Sequence, residues 1–204
     1  MTKKTDNHNL STKLDLRHYF LRKYHSHIAP RVFDCCQGSG KIWSELSKDQ
    51  PLGSYWGVDL KPKKGRIKID SERVLAQPGW AFDVIDVDAY GSPWNHWAAI
   101  LNHMTEDVTV FLTVGLVRIG GGGKLSSIQK QILGINGLKV PETICGKLHE
   151  LSAKYLLAKT EEHGITIQEC IEAFPSANAR YIGVRLSKQT GSSVSPPKPA
   201  TTTF

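Results

Sequence analysis

The sequence of 204 residues lacks the features that mark several classes of protein. Its four cysteines form neither a Cys-x-x-Cys pair nor a disulfide-like framework, which favours a reducing, cytoplasmic setting. No window approaches the roughly 20 apolar residues of a membrane span, and no apolar stretch follows the basic N-terminus as in a secretory signal. The eight histidines show no metal-ligand spacing. We expect a globular protein with no membrane segment and no metal centre.

A formal net charge of +7 and a hydrophobic content of 40% are what the chain does have. The hydrophobic content supports a folded globule. The positive charge favours an anionic partner, of which nucleic acid is the commonest, although a modest excess of this kind also occurs in proteins that bind no polyanion.

Short apolar runs alternate with helix-compatible segments over most of the chain, which predicts an α/β fold with a doubly wound, mostly parallel sheet. Two final runs are separated by Pro-Ser-Ala-Asn, a loop so short that it predicts an antiparallel C-terminal hairpin. We expect a flexible tail over 1–13, a single domain over 14–187 and a disordered tail over 188–204. The predicted strands cover 31–36, 54–60, 66–70, 81–88, 107–115, 165–174 and 179–187.

A basic helix is predicted over 14–27. Leu16, Phe20 and Tyr24 recur at a spacing of four residues, which suits one buried helix face, and the other positions are strongly basic. Two interpretations of the basic side chains stay open. They form either a solvated face at the edge of the domain or a contact surface for nucleic acid.

A glycine-rich turn follows the first predicted strand, from Asp34 through Gln37 and Gly38 to Gly40. Glycines at this position let the backbone turn tightly and approach a ligand, and the acid at the strand end can accept hydrogen bonds. A plain strand-to-helix turn is the alternative. The turn is not the Gly-x-Gly-x-x-Gly motif of nicotinamide enzymes, because Trp43 stands where the third glycine would fall.

Two further acids end the next two predicted strands. Asp59 in Gly-Val-Asp is well placed to chelate a ribose diol, because a carboxylate can accept hydrogen bonds from both hydroxyls; a solvated acid that caps the strand is the alternative. Asp70 could accept a hydrogen bond from an adenine amino group, or it could cap the following helix, or both. Ligands of open α/β sheets lie outside the carboxyl ends of the strands, so these acids reinforce the glycine-rich turn as a binding site.

The segment FDVIDVDAYGSPWNHW, residues 82–97, carries Asp86 and Asp88 at the end of an apolar run and then a sharp turn. With the preceding motifs, this order resembles the class I S-adenosylmethionine-dependent methyltransferases over roughly residues 31–187. More narrowly, the stretch from Asp86 to Pro93 is similar to the DxDP(F/Y)GSP motif of the tRNA guanine-N2 dimethyltransferase family, with Ala89 in place of the motif's proline. The resemblance implies a Rossmann-like sheet and S-adenosylmethionine as cofactor.

In that family this stretch lines the pocket for the exocyclic amine that is methylated. The resemblance therefore implies catalytic roles for Asp88 as the amine acceptor, Tyr90 as a stacking face and Pro93 as the residue that fixes the turn. Asp86 is expected to face the cofactor or to support Asp88. The residues expected on the cofactor side are Asp34, Gln37, Gly38, Gly40, Asp59, Asp70 and Asp86.

Elementary chemistry gives Asp88 the same role. Methyl transfer from a sulfonium to an exocyclic amine needs the nitrogen lone pair turned toward the methyl group. A carboxylate that accepts a hydrogen bond from the amine favours that geometry and stabilises the positive charge that develops on nitrogen. Together with the resemblance and the positive charge of the chain, this leads us to expect methyl transfer to an exocyclic amine on a nucleic-acid base.

Two alternatives stay open at the level of sequence. One keeps methyl transfer but places it on a protein side chain or a small molecule. The other is a non-catalytic module that retains the fold and binds nucleic acid through its basic face and loops. The fold alone does not decide among these three possibilities.

Overall fold

The computed structural model describes residues 9–89, 93–115, 148–176 and 179–188. Tyr90 lies outside the described residues, as do residues 1–8 and 189–204 of the two predicted tails. The strands are β1 (Arg31–Asp34), β2 (Ser54–Asp59), β3 (Ile67–Lys68), β4 (Val84–Val87), β5 (Val108–Gly115), β6 (Ile165–Ser176) and β7 (Ala179–Lys188). The helices are α1 (Leu10–Tyr24), α2 (Lys41–Asp49), α3 (Ser71–Leu75), α4 (Trp94–His103) and α5 (Leu148–Glu162).

The strands form one seven-stranded sheet in the order β3-β2-β1-β4-β5-β7-β6. Neighbours from β3 to β5 run parallel, β7 is antiparallel to β5, and β6 is antiparallel to β7. The predicted α/β class, the mostly parallel sheet and the antiparallel C-terminal hairpin are therefore confirmed. The order reverses between β1 and β4, and an open α/β sheet binds ligands at such a switch point, outside the carboxyl ends of the strands.

The two faces of the sheet pack against different helices. Val32 of β1 and Val84 of β4 share a core with side chains of α1 and α2. Phe33 and Ile85, the next residues along these strands, pack with side chains of α3, α4 and α5. Because successive side chains of a strand alternate between its faces, this division also sets the direction of the acids that end β1 and β4.

The structure corrects the prediction for the first helix. α1 begins at Leu10, so residues 10–13 belong to a helix and not to a flexible tail. Lys13, which the prediction placed in the tail, and Arg17, which it placed among the basic positions of the helix, are both buried on the same face as Phe20. They lie on the buried face because Asp86 of β4 pairs with Arg17, and Asp88, directly after β4, pairs with Lys13.

Within the described residues, no helix is both long enough and apolar enough to cross a membrane.

Candidate active site

The carboxyl ends of β1, β2 and β4 bring the predicted acids to one edge of the sheet. Asp34 is in register with Gly57 of β2 on one side and with Asp86 of β4 on the other. Asp59 ends β2, and Asp88 follows β4 directly. This edge is the switch point of the sheet, so the sequence motifs converge where an open α/β fold binds its ligand.

The glycine-rich turn is tied to the acid that ends β2. The Gly38 amide donates to Asp59 Oδ2 at 3.0 Å, and the Lys61 amide donates to Asp59 Oδ1 at 2.8 Å. Gly38 and Gly40 adopt φ of 51° and 68°, a left-handed conformation that glycine takes without steric cost. Each Asp59 oxygen keeps a further lone pair, so the carboxylate can still accept from two ligand hydroxyls.

Hydrogen bonds that link three side chains in a row support the glycine-rich turn. Tyr55 donates through Oη to Asp34 Oδ2 at 2.8 Å and accepts from Gln37 Nε2 at 3.2 Å. A Cβ on Gly57 would lie 2.5 Å from Gln37 Nε2, so only glycine leaves room for this arrangement. The buried Gln37 Oε1 has no hydrogen-bond partner among the described residues. The sequence motifs predicted Gln37 and Asp34 but contained no signal for Tyr55.

Asp70 caps α3. Its Oδ1 accepts from the Glu72 amide at 3.1 Å, and its Oδ2 lies 3.6 Å from Arg73 Nε. Of the two roles predicted for Asp70, the structure shows the helix cap. The side chain is partly exposed, so its carboxylate is also accessible to a ligand at the same edge.

Asp86 anchors two helices to the sheet. Arg17 donates through Nη2 to Oδ1 at 2.6 Å and through Nε to Oδ2 at 2.8 Å, and Trp43 Nε1 donates to Oδ2 at 2.8 Å. The side chains of Arg17 and Asp86 are each only 2% exposed. The predicted direction of Asp86 toward the cofactor is therefore corrected: its carboxylate faces α1 and α2, since it lies on the same face as Val84.

The electrostatics of the buried acids follow from this arrangement. Burial alone would lower the pKa of the Arg17 guanidinium, but the adjacent Asp86 carboxylate holds that pKa above its usual value. Burial raises the pKa of Asp34 well above its usual value, and the negative charge of Asp86 raises it further. Burial at this edge therefore favours the protonated form of the Asp34 carboxyl group, whose pKa is raised.

Asp88 lies nearer the surface and has two other partners. Lys13 Nζ donates to Oδ1 at 2.7 Å and to Oδ2 at 2.5 Å, and Thr113 Oγ1 donates to Oδ1 at 2.6 Å. The Asp88 side chain is 17% exposed and that of Lys13 is 6% exposed. Lys13 Nζ also lies 5.0 Å from the centroid of the Tyr181 ring. Asp88 Oδ2 has one lone pair that no described side chain uses.

Sequence patterns alone did not identify Lys13, Arg17 or Thr113 as residues of the site. One usable signal was the spacing of Lys13 and Arg17, which places both on the helix face that carries Phe20. Thr113 sits near the carboxyl end of a buried strand and carried no signal of its own.

The segment after Asp88 leads into α4. Pro93 is buried and stands at the N-cap of α4, where its carbonyl accepts from the Trp97 amide at 3.0 Å. Trp94 is buried and meets the ring of Tyr155 edge-on at 5.2 Å between centroids. Pro93 therefore stands where α4 begins, and its role in fixing the preceding turn stays a prediction.

Strand order, switch-point site and antiparallel hairpin together define the fold of the S-adenosylmethionine-dependent methyltransferases, and solved structures of that class are similar to this chain. Trm1 from Pyrococcus horikoshii with S-adenosyl-L-methionine is similar with a TM-score of 0.60 at 14% identity. The match covers 89% of this chain and 56% of that chain. This chain thus spans little more than half the length of Trm1.

Two other methyltransferase structures are similar over most of their own length. A SAM-dependent methyltransferase from Leishmania major has a TM-score of 0.53 at 12% identity, covering 89% of this chain and 74% of that chain. The plantazolicin methyltransferase BamL, solved with a triazolic desmethylPZN analog and SAH, has a TM-score of 0.52 at 12% identity. The match covers 91% of this chain and 87% of that chain. No family model and no curated protein matches the sequence.

Proposed function

We propose that the protein is an S-adenosylmethionine-dependent methyltransferase that transfers a methyl group to an exocyclic amine on a nucleic-acid base. The observation that carries the proposal is Asp88. Its carboxylate stands at the switch point of a methyltransferase fold, and Lys13 and Thr113 hold it while one lone pair of Oδ2 stays unused by the described side chains.

The residues around the glycine-rich turn fit S-adenosylmethionine. Asp59 has spare lone pairs for the two ribose hydroxyls, and Asp70 can accept from the adenine amino group while it caps α3. Gly38 and Gly40 lack side chains that would keep the cofactor away from the backbone, and Gln37 and Asp34 support the turn. When bound, S-adenosylmethionine supplies a methyl group on a positively charged sulfur.

Asp88 would act on the acceptor. Its Oδ2 accepts one N–H of the amine, which turns the nitrogen lone pair away from the ring system and fixes its direction. As the bond from the methyl carbon to nitrogen forms and its bond to sulfur breaks, positive charge would develop on the nitrogen. Asp88 Oδ2 would stabilise this charge and take the N–H proton, so that no full positive charge remains beside Lys13. Thr113 and Lys13 hold the carboxylate in place, so positioning contributes to the rate as well.

Tyr90 and Pro93 complete the proposed acceptor side. The aromatic ring of Tyr90 would stack on the base, an interaction worth about 1–3 kcal/mol in single-stranded recognition. Pro93 is the N-cap of α4, so it would fix the end of the segment that joins Asp88 to that helix. These roles rest on the similarity of the stretch to the guanine-N2 motif.

The basic loop between β2 and α3 supports a nucleic-acid acceptor. Its side chains are exposed, and no ion pair joins them to acidic side chains in the described part of the chain. Arg66 also donates to the Ser39 carbonyl at 3.2 Å, which places the loop beside the glycine-rich turn. Such a loop can contact phosphates next to the site. Its basic residues are Lys61, Lys63, Lys64, Arg66 and Lys68.

Calorimetric titration tests the cofactor half of the proposal. We expect the protein to bind S-adenosylmethionine and its demethylated product, and Asp59→Ala to weaken both by at least about tenfold, because a charged hydrogen-bond acceptor worth roughly 1.5–3 kcal/mol is lost. Asp49→Ala, an exposed acid at the end of α2, is the matched control. Absence of binding by the unmodified protein would end the proposal.

Transfer of a labelled methyl group tests the acceptor half. The protein is incubated with labelled S-adenosylmethionine and separate pools of RNA, DNA, protein and metabolites. We expect the label in a nucleic-acid pool, on an exocyclic amine. Label in the protein or metabolite pool would refute the nucleic-acid acceptor. Cofactor binding without label in any pool would favour a non-catalytic module.

A further inference from the structure

Each acid at the end of β4 has its own cation from α1. Arg17 pairs with Asp86 in the interior, and Lys13 pairs with Asp88 at the edge. The four formal charges sum to zero. The pKa of Asp34 is raised, which favours its protonated form, so Asp34 adds little negative charge to these two ion pairs. Among the described residues, the two acids at the end of β4 therefore each have a paired cation, and their negative charge is compensated.

The hydrogen bonds of the described residues leave Asp88 one lone pair, on Oδ2, for the amine that is to be methylated. Oδ1 accepts from both Lys13 and Thr113, which uses its two lone pairs, and Oδ2 accepts from Lys13 with its first. The amine that accepts the methyl group can therefore donate one N–H to Oδ2. Its nitrogen would then lie within a few ångströms of the Lys13 ammonium.

We propose that Lys13 makes this position selective for uncharged amines and excludes ammonium groups. The inference rests on the proposed role of Asp88. A neutral exocyclic amine donates one N–H to Oδ2 and brings no charge. A protonated amine, such as a lysine side chain, brings a second positive charge beside Lys13 and finds its carboxylate already neutralised.

Burial makes this selection effective. Lys13 is 6% exposed, so water screens its charge poorly, and repulsion between like charges is much stronger there than in bulk water. The ammonium also cannot easily move aside, because it bonds both Asp88 oxygens and lies over the Tyr181 ring at 5.0 Å. Lys13 is thus a positioning residue for Asp88 that also sets the charge of the acceptor.

Binding of small amines tests the selection without any methyl transfer. The probes are n-butylammonium as the charged amine and cytidine, adenosine and guanosine as carriers of neutral exocyclic amines. Dissociation constants are read by NMR from the backbone amides of Asp88 and Thr113. The variants are Lys13→Met, which removes the charge, and Lys13→Arg, which keeps it. Lys23→Met, on the exposed face of α1, is the matched control, and circular dichroism verifies that each variant folds.

In the unmodified protein, we expect at least one nucleoside to bind at Asp88 and n-butylammonium to bind at least tenfold more weakly. Lys13→Met should lower the dissociation constant of n-butylammonium at least tenfold. Lys13→Arg and Lys23→Met should leave the preference for nucleosides over n-butylammonium unchanged. A merely structural role of Lys13 would not reverse the preference in this way. Equal binding of n-butylammonium and the nucleosides by the unmodified protein would overturn the inference, as would an unchanged preference in folded Lys13→Met.

The outcomes separate this inference from the proposed function. If the amine preference behaves as expected but no pool of acceptors gains a methyl group, charge selection stands and methyl transfer fails. If a nucleic-acid pool is labelled while n-butylammonium binds at Asp88 as tightly as the nucleosides, methyl transfer stands and charge selection by Lys13 fails.

Discussion

Two clusters at the end of β4 use the same kinds of residue at different depths. The interior cluster consists of Asp86, Arg17 and Trp43, and the edge cluster consists of Asp88, Lys13 and Thr113. In the interior cluster the carboxylate has no exposed surface to offer a ligand, so its effect is on stability. In the edge cluster the carboxylate keeps an unused lone pair and some exposure, so the same chemistry is available to an acceptor.

Matched spacings explain why both acids of β4 find partners on α1. Lys13 and Arg17 are separated by four residues of helix, about 6 Å along its axis. Asp88 and Asp86 are separated by two residues, about 6.6 Å in extended chain. Lys13 pairs with the later acid and Arg17 with the earlier one, so α1 runs antiparallel to β4.

The largest expected effect breaks the interior cluster. Arg17→Met should lower the free energy of unfolding by about 3–5 kcal/mol, because it leaves the buried Asp86 carboxylate without its cation. Chemical denaturation measures the change. Arg22→Met, on the exposed face of the same helix, should change stability little. The double variant Arg17→Met, Asp86→Asn should recover part of the loss. A loss below about 1 kcal/mol for Arg17→Met would refute the anchoring role.

A smaller effect is expected at Gly57, which borders the interior cluster through Asp34. Gly57→Ala would place a Cβ 2.5 Å from Gln37 Nε2 and 2.6 Å from Tyr55 Oη. Relief of this overlap should cost about 1–3 kcal/mol and weaken binding of S-adenosylmethionine, since Gln37 adjoins the glycine-rich turn. Gly57 lies in β2 without a positive φ, so the loss measures the overlap and not backbone strain. Unchanged cofactor binding by Gly57→Ala would contradict this coupling.

The smallest effect concerns the dependence of stability on pH and the carboxyl group of Asp34. The pKa of Asp34 is raised in the folded protein, by burial and then by Asp86, so folding favours its protonated form. Its contribution to stability is therefore fully present below its usual pKa near 3.8 and is lost as the pH rises through the raised value. Asp34→Asn should remove this loss. The free energy of unfolding of the variant should therefore rise relative to that of the unmodified protein, by about 1 kcal/mol or more, as the pH rises above about 4.

The difference between the two stability curves is the quantity to measure. His25 and His96 have pKa values lowered to about 4 by burial, so both proteins lose stability as the pH falls below about 6.5. That shared loss cancels in the difference. A difference that stays flat with pH would show that Asp34 ionises normally in the folded protein.

Much of the fold could be predicted because each strand is a local pattern of apolar residues. The predicted strand over 107–115 ends at Gly115 as observed, and the one over 54–60 runs one residue past the observed end at Asp59. The order of the strands in the sheet was not predicted, because it depends on how the crossovers wind. Lys13 and Arg17 could not be predicted in their positions, because their partners are 75 and 69 residues away in sequence. Basic residues on a helix are ordinarily placed in solvent, and only the position of β4 reverses this.

Asp86 shows the same limit from the other side. The order of motifs indicated an acid near the cofactor, but the direction of a strand residue depends on which helix covers its face. Two residues on, Asp88 occupies the end of the strand that the motif indicated. The cofactor-side roles of Asp34, Gln37, Asp59 and Asp70 stay predictions.

Methyl transfer by Asp88→Asn, at saturating S-adenosylmethionine and on the acceptor pool that gains label, tests the central claim most directly. The amide keeps the shape of the side chain and can still accept from Lys13 and Thr113. The account predicts unchanged cofactor affinity and a rate lower by about 100-fold or more, because the charge that stabilises the amine nitrogen is gone. A rate within twofold of the unmodified protein would contradict it.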